Sequence, residues 1–156
     1  DYHRYLLMIF QQTYQGPSTF ALAGANLGVH RPELRDYLIR HAEEERNHWE
    51  WVISDLRTTG YAGPDPRSIF PPIACQSYVA FNFYVASQFP AGRLAVAAVL
   101  EGIGARYAKA YATKAVGLLK IDPSSLKFSF GHGDTDVGHV EEIHELLSKE
   151  NFSERE

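Results

Sequence analysis

One stripe of residues at helical spacing, apolar at both ends and polar in the middle, constrains the fold more than any other feature of the sequence. Positions three or four apart share one face of an α-helix. The stripe consists of Leu34, Tyr37, Leu38, His41, Glu45, His48 and Val52. Its apolar ends predict that this face is buried, and buried charged groups are costly unless they are paired or bound to a metal. The segment therefore predicts a helix whose inward face carries three potential metal ligands.

A second stripe near the C-terminal end repeats this spacing. His132, Asp136 and His139 have the same offsets as His41, Glu45 and His48, namely zero, four and seven. The stripe then continues into apolar residues, which are Ile143, Leu146 and Leu147. One such stripe is common by chance, whereas two in one small domain are much less so. The pair predicts two helices whose polar side chains face each other.

Glu101 supplies a third element, because it is the only charged residue between Leu94 and Ala105. The same helix face carries small residues, which allow a neighbouring helix to approach closely. A lone carboxylate in such surroundings needs a partner, and a metal between helices is one candidate. An ion pair with Arg93 or Arg106 is the structural alternative.

The two stripes also have structural alternatives: a buried hydrogen-bond cluster for the first, and a glycine-rich surface turn for the second. Together the three elements favour a metal centre. The predicted ligands are Glu45, His48, Glu101, His132, Asp136 and His139, with His41 and Glu44 as further candidates. Mixed imidazole and carboxylate ligands suit iron, with manganese as the alternative. Helical bundles hold di-iron and di-manganese centres with such side chains.

Helical periodicity extends over most of the chain, and no convincing strand alternation competes with it. The predicted helices cover residues 2–27, 32–58, 72–88, 91–120 and a last segment from the 121–125 connector to residue 149. Gly16 and Pro17 should kink the first helix or split it in two. The sequence thus predicts an all-α bundle, with residues 1–156 forming a single domain.

Composition excludes several functional classes. The net charge is −4 and no cluster of lysine and arginine is present, which argues against a nucleic-acid partner. The single cysteine, Cys75, rules out an internal disulfide and a cysteine-rich zinc site. No apolar run reaches the length needed to span a bilayer, and nothing resembles a signal peptide. We therefore expect a cytoplasmic protein without a membrane partner.

A metal centre that acts on an organic molecule needs an adjoining cavity that excludes water. The helix over residues 72–88 is rich in aromatic residues and is one candidate wall, and the Gly16–Pro17 region is the other. The predicted pocket residues are Tyr14, Phe20, Tyr78 and Phe81. Core packing of these aromatic side chains is the alternative.

The segments HAEEERNHWEW and FSFGHGDTDVGH, together with Glu101, resemble the haem-oxygenase-like diiron oxidases, relatives of the haem oxygenase and TenA/PqqC folds. The resemblance runs from the second helix to about His144, and its most specific motif is His132-x-x-x-Asp136-x-x-His139. Some members use Glu-x-x-His, which corresponds to Glu45 and His48. Others place a glutamate seven residues before the histidine, where this chain has His41. Family members have more helix before and after this region, so the resemblance implies a chain shortened at one or both ends.

The resemblance also implies a function. In this family two ferrous ions react with dioxygen, and the centre then oxidises an organic acid, an amino acid or an amine by decarboxylation, carbon–carbon cleavage or N-oxygenation. Dioxygen, a small organic substrate and an external electron donor are the implied partners, and a homodimer is compatible with the family. The competing hypotheses are a TenA/PqqC-like enzyme without a di-iron centre and a non-catalytic metal-binding bundle.

Overall fold

A computed structural model describes residues 1–152 of the chain, which fold into a helical bundle. Its helices are α1 Tyr2–Leu27, α2 Pro32–Glu45, α3 Trp49–Thr58, α4 Ile73–Gln88, α5 Gly92–Leu119 and α6 Lys127–Lys149. Short 3₁₀ turns at Pro66–Ser68 and Pro123–Leu126 lie in the two longer connections. The described part contains no strand, which confirms the prediction of an all-α fold. No helix in residues 1–152 combines the length and apolar character needed to cross a membrane.

The first helix is not split at Gly16 and Pro17, since α1 continues through both residues to Leu27. Burial on both sides of the proline explains this. Phe10, on one side of Pro17, is fully buried in a cluster with residues of α3, and Phe20, on the other side, is buried in the main core. The packing of both halves holds the helix together where Pro17 removes a backbone donor.

The second predicted helix is interrupted, and residues 46–48 form a turn between α2 and α3. The backbone N–H of His48 donates to the carbonyl of Glu45 at 3.2 Å, and that of Trp51 donates to His48 at 3.1 Å. These are i to i−3 bonds, as in a 3₁₀ turn, in which side chains three apart eclipse each other. The prediction of one unbroken helix was therefore wrong. The break places the side chain of His48 directly against that of Glu45.

The beginning of α6 is fixed by Asp55 of α3, a fully buried residue. Its two carboxylate oxygens accept hydrogen bonds from the backbone N–H groups of Lys127 and Phe128, at 2.8 and 2.9 Å. The first N–H groups of a helix have no partner within the helix, so this contact caps α6 from a different element. It also sets the position of α6 relative to α3.

The main core lies between α1, α2, α4, α5 and α6, and two smaller clusters flank it at the other end of the bundle. Close approach of α5 and α6 depends on Gly104, because a Cβ there would lie 1.6 Å from Oδ2 of Asp136. The helices α2, α5 and α6 thereby bring their polar stripes to one place in the interior.

Candidate metal centre

Seven side chains that can bind a metal converge between α2, α5 and α6 and the turn that follows α2. They form three overlapping groups in which the ligand atoms lie within 4.8 Å of one another. The groups are His41–Glu45–Glu101–His139, Glu45–His48–His132 and Glu101–His132–Asp136. Two ligands on opposite sides of one ion are separated by roughly 4.4 Å, so each group has the dimensions of a coordination shell.

The first group surrounds a position between α2, α5 and α6. His41 is fully buried, and its Nε2 lies 3.3 Å from Oε1 of Glu101. Nδ1 of His139 donates to Oε2 of Glu101 at 3.2 Å. The rings of His41 and His139 meet edge to face with their centroids 4.6 Å apart. A pair of imidazoles and two carboxylates, those of Glu45 and Glu101, therefore point at one place.

The second position lies one helical turn further along. His48 Nδ1 donates to Oε2 of Glu45 at 2.7 Å, and His132 Nδ1 donates to Oδ1 of Asp136 at 3.0 Å. The rings of His48 and His132 are 4.8 Å apart. Glu45 belongs to the groups at both positions, and so does Glu101. The arrangement is two pairs of imidazoles with two carboxylates shared between them.

The ligand side chains include buried polar atoms that make no hydrogen bond with the described residues. These atoms are Nδ1 and Nε2 of His41, Oε1 of Glu45 and Nε2 of His132. Leaving a buried polar group without a partner costs about 1–3 kcal/mol. All four belong to the three groups, and metal ions held there would give them partners. The side chains present therefore fit a pair of ions of the iron or manganese type.

The electrostatics of these side chains show how closely they are coupled. Burial alone would raise the pKa of Glu101, but the hydrogen bond from His139 and the nearby imidazole of His41 outweigh it and hold that pKa well below its usual range. The hydrogen bond to Glu101 in turn raises the pKa of His139 to about 9. Burial opposes protonation of His132, but Asp136 raises its pKa. Protons on these histidines occupy the places that metal ions would take.

Residues outside these three groups hold the candidate ligands in place. The indole of Trp51 stacks on His48 with centroids 4.0 Å apart and planes 19° from parallel. Gly131 of α6 admits that ring, because a Cβ there would come within 2.7 Å of it. Sequence reasoning did not assign these roles, nor that of Asp55. For Trp51 the sequence does contain a local signal, because Trp51 lies three residues after His48 and this spacing places two side chains on one side of a helical turn.

The structure brings together all six predicted ligands and also His41. Glu44 is different, since it is 43% exposed and its Oε2 lies 3.5 Å from Nε2 of His139, at the outer edge of the first position. Glu101 has no arginine within ion-pair distance among the described residues, and its partners are His41 and His139.

A cavity of about 370 Å³ adjoins the second position and reaches Glu45, Glu101, His132 and Asp136. Its other walls come mainly from α1 and α5, which contribute apolar side chains. Of the predicted pocket residues, Phe20 lines this cavity.

The other three predicted pocket residues, by contrast, do not line the cavity. Tyr14 stacks on Phe10, Phe81 is 54% exposed, and Tyr78 lies beside a much smaller void. The helix α4 therefore does not form a wall of this cavity, because Tyr78 and Phe81 lie on other sides of it, and Tyr14 of α1 does not reach the cavity either.

Comparison with known proteins identifies the fold. No family model matches the chain, and no curated protein is significantly similar to it in sequence. A solved structure from Shewanella denitrificans OS217, described as a domain of unknown function with a heme oxygenase-like fold, superimposes with a TM-score of 0.89 at 24% identity. The match covers 97% of this chain and 66% of the other, so the chain spans about two thirds of that protein. The chain thus has a haem-oxygenase-like fold.

Proposed function

We propose that this chain holds two iron ions between α2, α5 and α6 and uses them to activate dioxygen for the oxidation of a small organic acid, amino acid or amine. The observation that carries the proposal is the sharing of Glu45 and Glu101 by two groups of imidazole ligands. Carboxylates placed between two histidine-flanked positions are how helical bundles hold two irons. An apolar cavity that touches the same carboxylates leaves room for a substrate.

Each residue has a definite role in this proposal. His41 and His139 would hold one ion, and His48 and His132 would hold the other. Asp136 completes the second position, and Glu45 and Glu101 lie between the two. Two bound iron ions would supply electrons to dioxygen, and an external donor would have to restore them. The apolar walls of the cavity limit the access of water to this chemistry.

Cys75 bears on the competing hypothesis of a TenA-like enzyme. Such an enzyme needs an activated cysteine beside its substrate. Cys75 is buried on α4, does not line the cavity, and has its Sγ 3.7 Å from the carbonyl oxygen of Met8. Burial raises the pKa of its thiol, which disfavours the reactive thiolate. These observations favour the di-iron proposal over a cysteine-dependent one.

The proposal is tested by adding ferrous iron to the metal-free protein without oxygen, counting iron per chain, and then admitting oxygen while recording absorbance. We expect two irons per chain and an oxygen-dependent absorbance change. Binding of iron with no reaction toward oxygen would leave a non-catalytic metal-binding bundle instead.

Single ligand substitutions make this test specific. His48→Ala and His139→Ala should each reduce bound iron and abolish the oxygen-dependent change, because each removes a ligand from one position. Helicity should persist, since the packed leucines remain. His144→Ala, at an exposed position of α6, is the matched control and should behave as wild type. Loss of helicity at room temperature in the ligand variants would show that these histidines are structural.

A further inference from the structure

The cavity is a slot between α1 and α5, which run in opposite directions. At one end Arg93 of α5 meets Thr19 and Phe20 of α1. At the other end the rings of Tyr5 and Tyr111 lie 5.6 Å apart. The candidate metal ligands form part of the wall between these ends.

Arg93 is a buried cation without an anionic partner among residues 1–152. Only 2% of its surface is exposed. Its Nε donates to Oγ1 of Thr19 at 3.0 Å, and its guanidinium carbon lies 3.7 Å from the centre of the Phe20 ring. No carboxylate in the described part of the chain lies within ion-pair distance of it, and its Nη1 has no hydrogen-bond partner there. Burial lowers the pKa of Arg93 to about 10, so the group stays charged at neutral pH.

A buried charge of this kind is costly unless an opposite charge compensates it. Arg93 also borders a small void beside Tyr78 and Asn82, of about 10 Å³, which suffices for one water molecule. A water there would satisfy a hydrogen bond but would not place an anion in contact with the guanidinium, which otherwise has only the more distant charges of Glu101 and Glu45. The slot, which Arg93 also lines, is large enough for an organic anion.

The positions along α5 give the order of features in the slot. Glu101 lies eight residues after Arg93 and Tyr111 lies eighteen after it, which correspond to about 12 Å and 27 Å along the helix axis. Between them the slot is lined by Leu100, Ile103 and other apolar side chains. A ligand whose charged group binds Arg93 therefore extends its body past the candidate metal positions toward Tyr111.

We propose that Arg93 binds the carboxylate of an apolar monocarboxylic acid, whose body lies in the slot across the candidate metal positions. This inference rests on the proposed function and narrows its substrate to an acid. The head group is held by Arg93, and the body of the molecule faces Glu101 and Asp136. Arginine is suited to this role because its planar guanidinium can form two parallel hydrogen bonds to a carboxylate.

Calorimetric titration of the metal-free and the zinc-loaded protein tests the inference, because zinc is redox-inert and no turnover is needed. The ligands are decanoate, decylamine and decanol, which share an apolar chain and differ in the head group. Wild type should bind decanoate roughly 10- to 100-fold more tightly than the other two, the range expected for hydrogen bonds to a charged group. The preference should be present with and without zinc.

Variants assign the preference to one residue. Arg93→Gln should lose the preference for decanoate, and Arg93→Lys should retain part of it. Arg106→Gln removes an exposed cation from the same helix and, as the matched control, should bind as wild type does. Circular dichroism checks that each variant is folded. If Arg93→Gln does not fold, the inference is tested by the partial preference expected of Arg93→Lys and by the binding of decanoate, decylamine and decanol to the wild-type protein.

Three results would overturn the inference: equal binding of decylamine and decanoate by wild type, a decanoate preference that survives in Arg93→Gln, or a preference that appears only with zinc. The last would place the carboxylate on the metal ions. None of these results depends on iron or oxygen, so failure of the di-iron proposal is recorded separately, by the iron count and the oxygen reaction.

Discussion

Gly104→Ala is the substitution whose effect on the proposed metal centre follows most directly from the structure. A Cβ at this position would lie 1.6 Å from Oδ2 and 2.8 Å from Cγ of Asp136. An ordinary van der Waals contact requires the carboxylate to retreat by about 2 Å. Metal–ligand distances tolerate only about 0.2 Å, so Asp136 could not remain a ligand at the second position.

The expected loss can be compared with known costs. Disturbing a residue that only supports a ligand typically lowers metal affinity 10- to 100-fold. Displacing Asp136 itself should therefore weaken binding of the second iron by at least about tenfold. Stability should change little or fall, because alanine gains about 1 kcal/mol of helix propensity while overpacking costs about 1–3 kcal/mol.

Gly102→Ala is the matched control, because it lies on the same helix and a Cβ added there would meet no atom within 4 Å among the described residues. It should raise the melting temperature by about 2–4 °C, the shift expected for about 1 kcal/mol, and leave iron binding unchanged. Anaerobic iron titration and thermal melts of both variants provide the measurements. If Gly104→Ala bound two irons as tightly as Gly102→Ala, the assignment of Asp136 as a ligand would be refuted.

Two further predictions concern stability and pH. Asp55→Ala removes the cap of α6 and should lower the free energy of unfolding by about 2 kcal/mol and the melting temperature by about 4–8 °C. The control Asp122→Ala, at an exposed turn, should lower both much less. Equal effects of the two substitutions would contradict the capping role of Asp55. In the metal-free protein the pKa of His139 is raised to about 9 by Glu101, so the stabilisation from this pair is complete below about pH 6.5 and is lost as the pH rises through about 9. Iron must displace the proton on His139, so iron affinity should rise over the same pH range. Thermal melts of the metal-free protein and metal titrations at several pH values measure both trends. A stability that rises with pH, or an iron affinity that falls, would contradict the prediction.

Helical periodicity was sufficient to predict the fold class and the inward direction of the candidate ligands. The offsets of zero, four and seven place His132, Asp136 and His139 on one face of α6 whatever the rest of the chain does. The glycines in α6 do not end the helix. Asp55 caps the beginning of α6, and the close contact between α6 and α5 favours small residues.

Other features depend on contacts between distant segments and could not be predicted from local patterns. The turn at residues 46–48 follows a good helical pattern, and its 3₁₀ hydrogen bonds are a property of the folded bundle. The aromatic residues of α4 are distributed around the helix, so their spacing does not reveal that Phe81 faces outward. Arg93 shares a helix face with Glu101 and Gly104, but its lack of an anionic partner within residues 1–152 is apparent only in three dimensions.

Anomalous diffraction from crystals loaded with ferrous iron without oxygen is the most direct test of the central claim. Two peaks about 3.5–4 Å apart are expected, one between His41 and His139 and the other between His48 and His132, with Glu45 and Glu101 within bonding distance of both. A single peak, or peaks only at the protein surface with no metal bound to these side chains, would contradict the account.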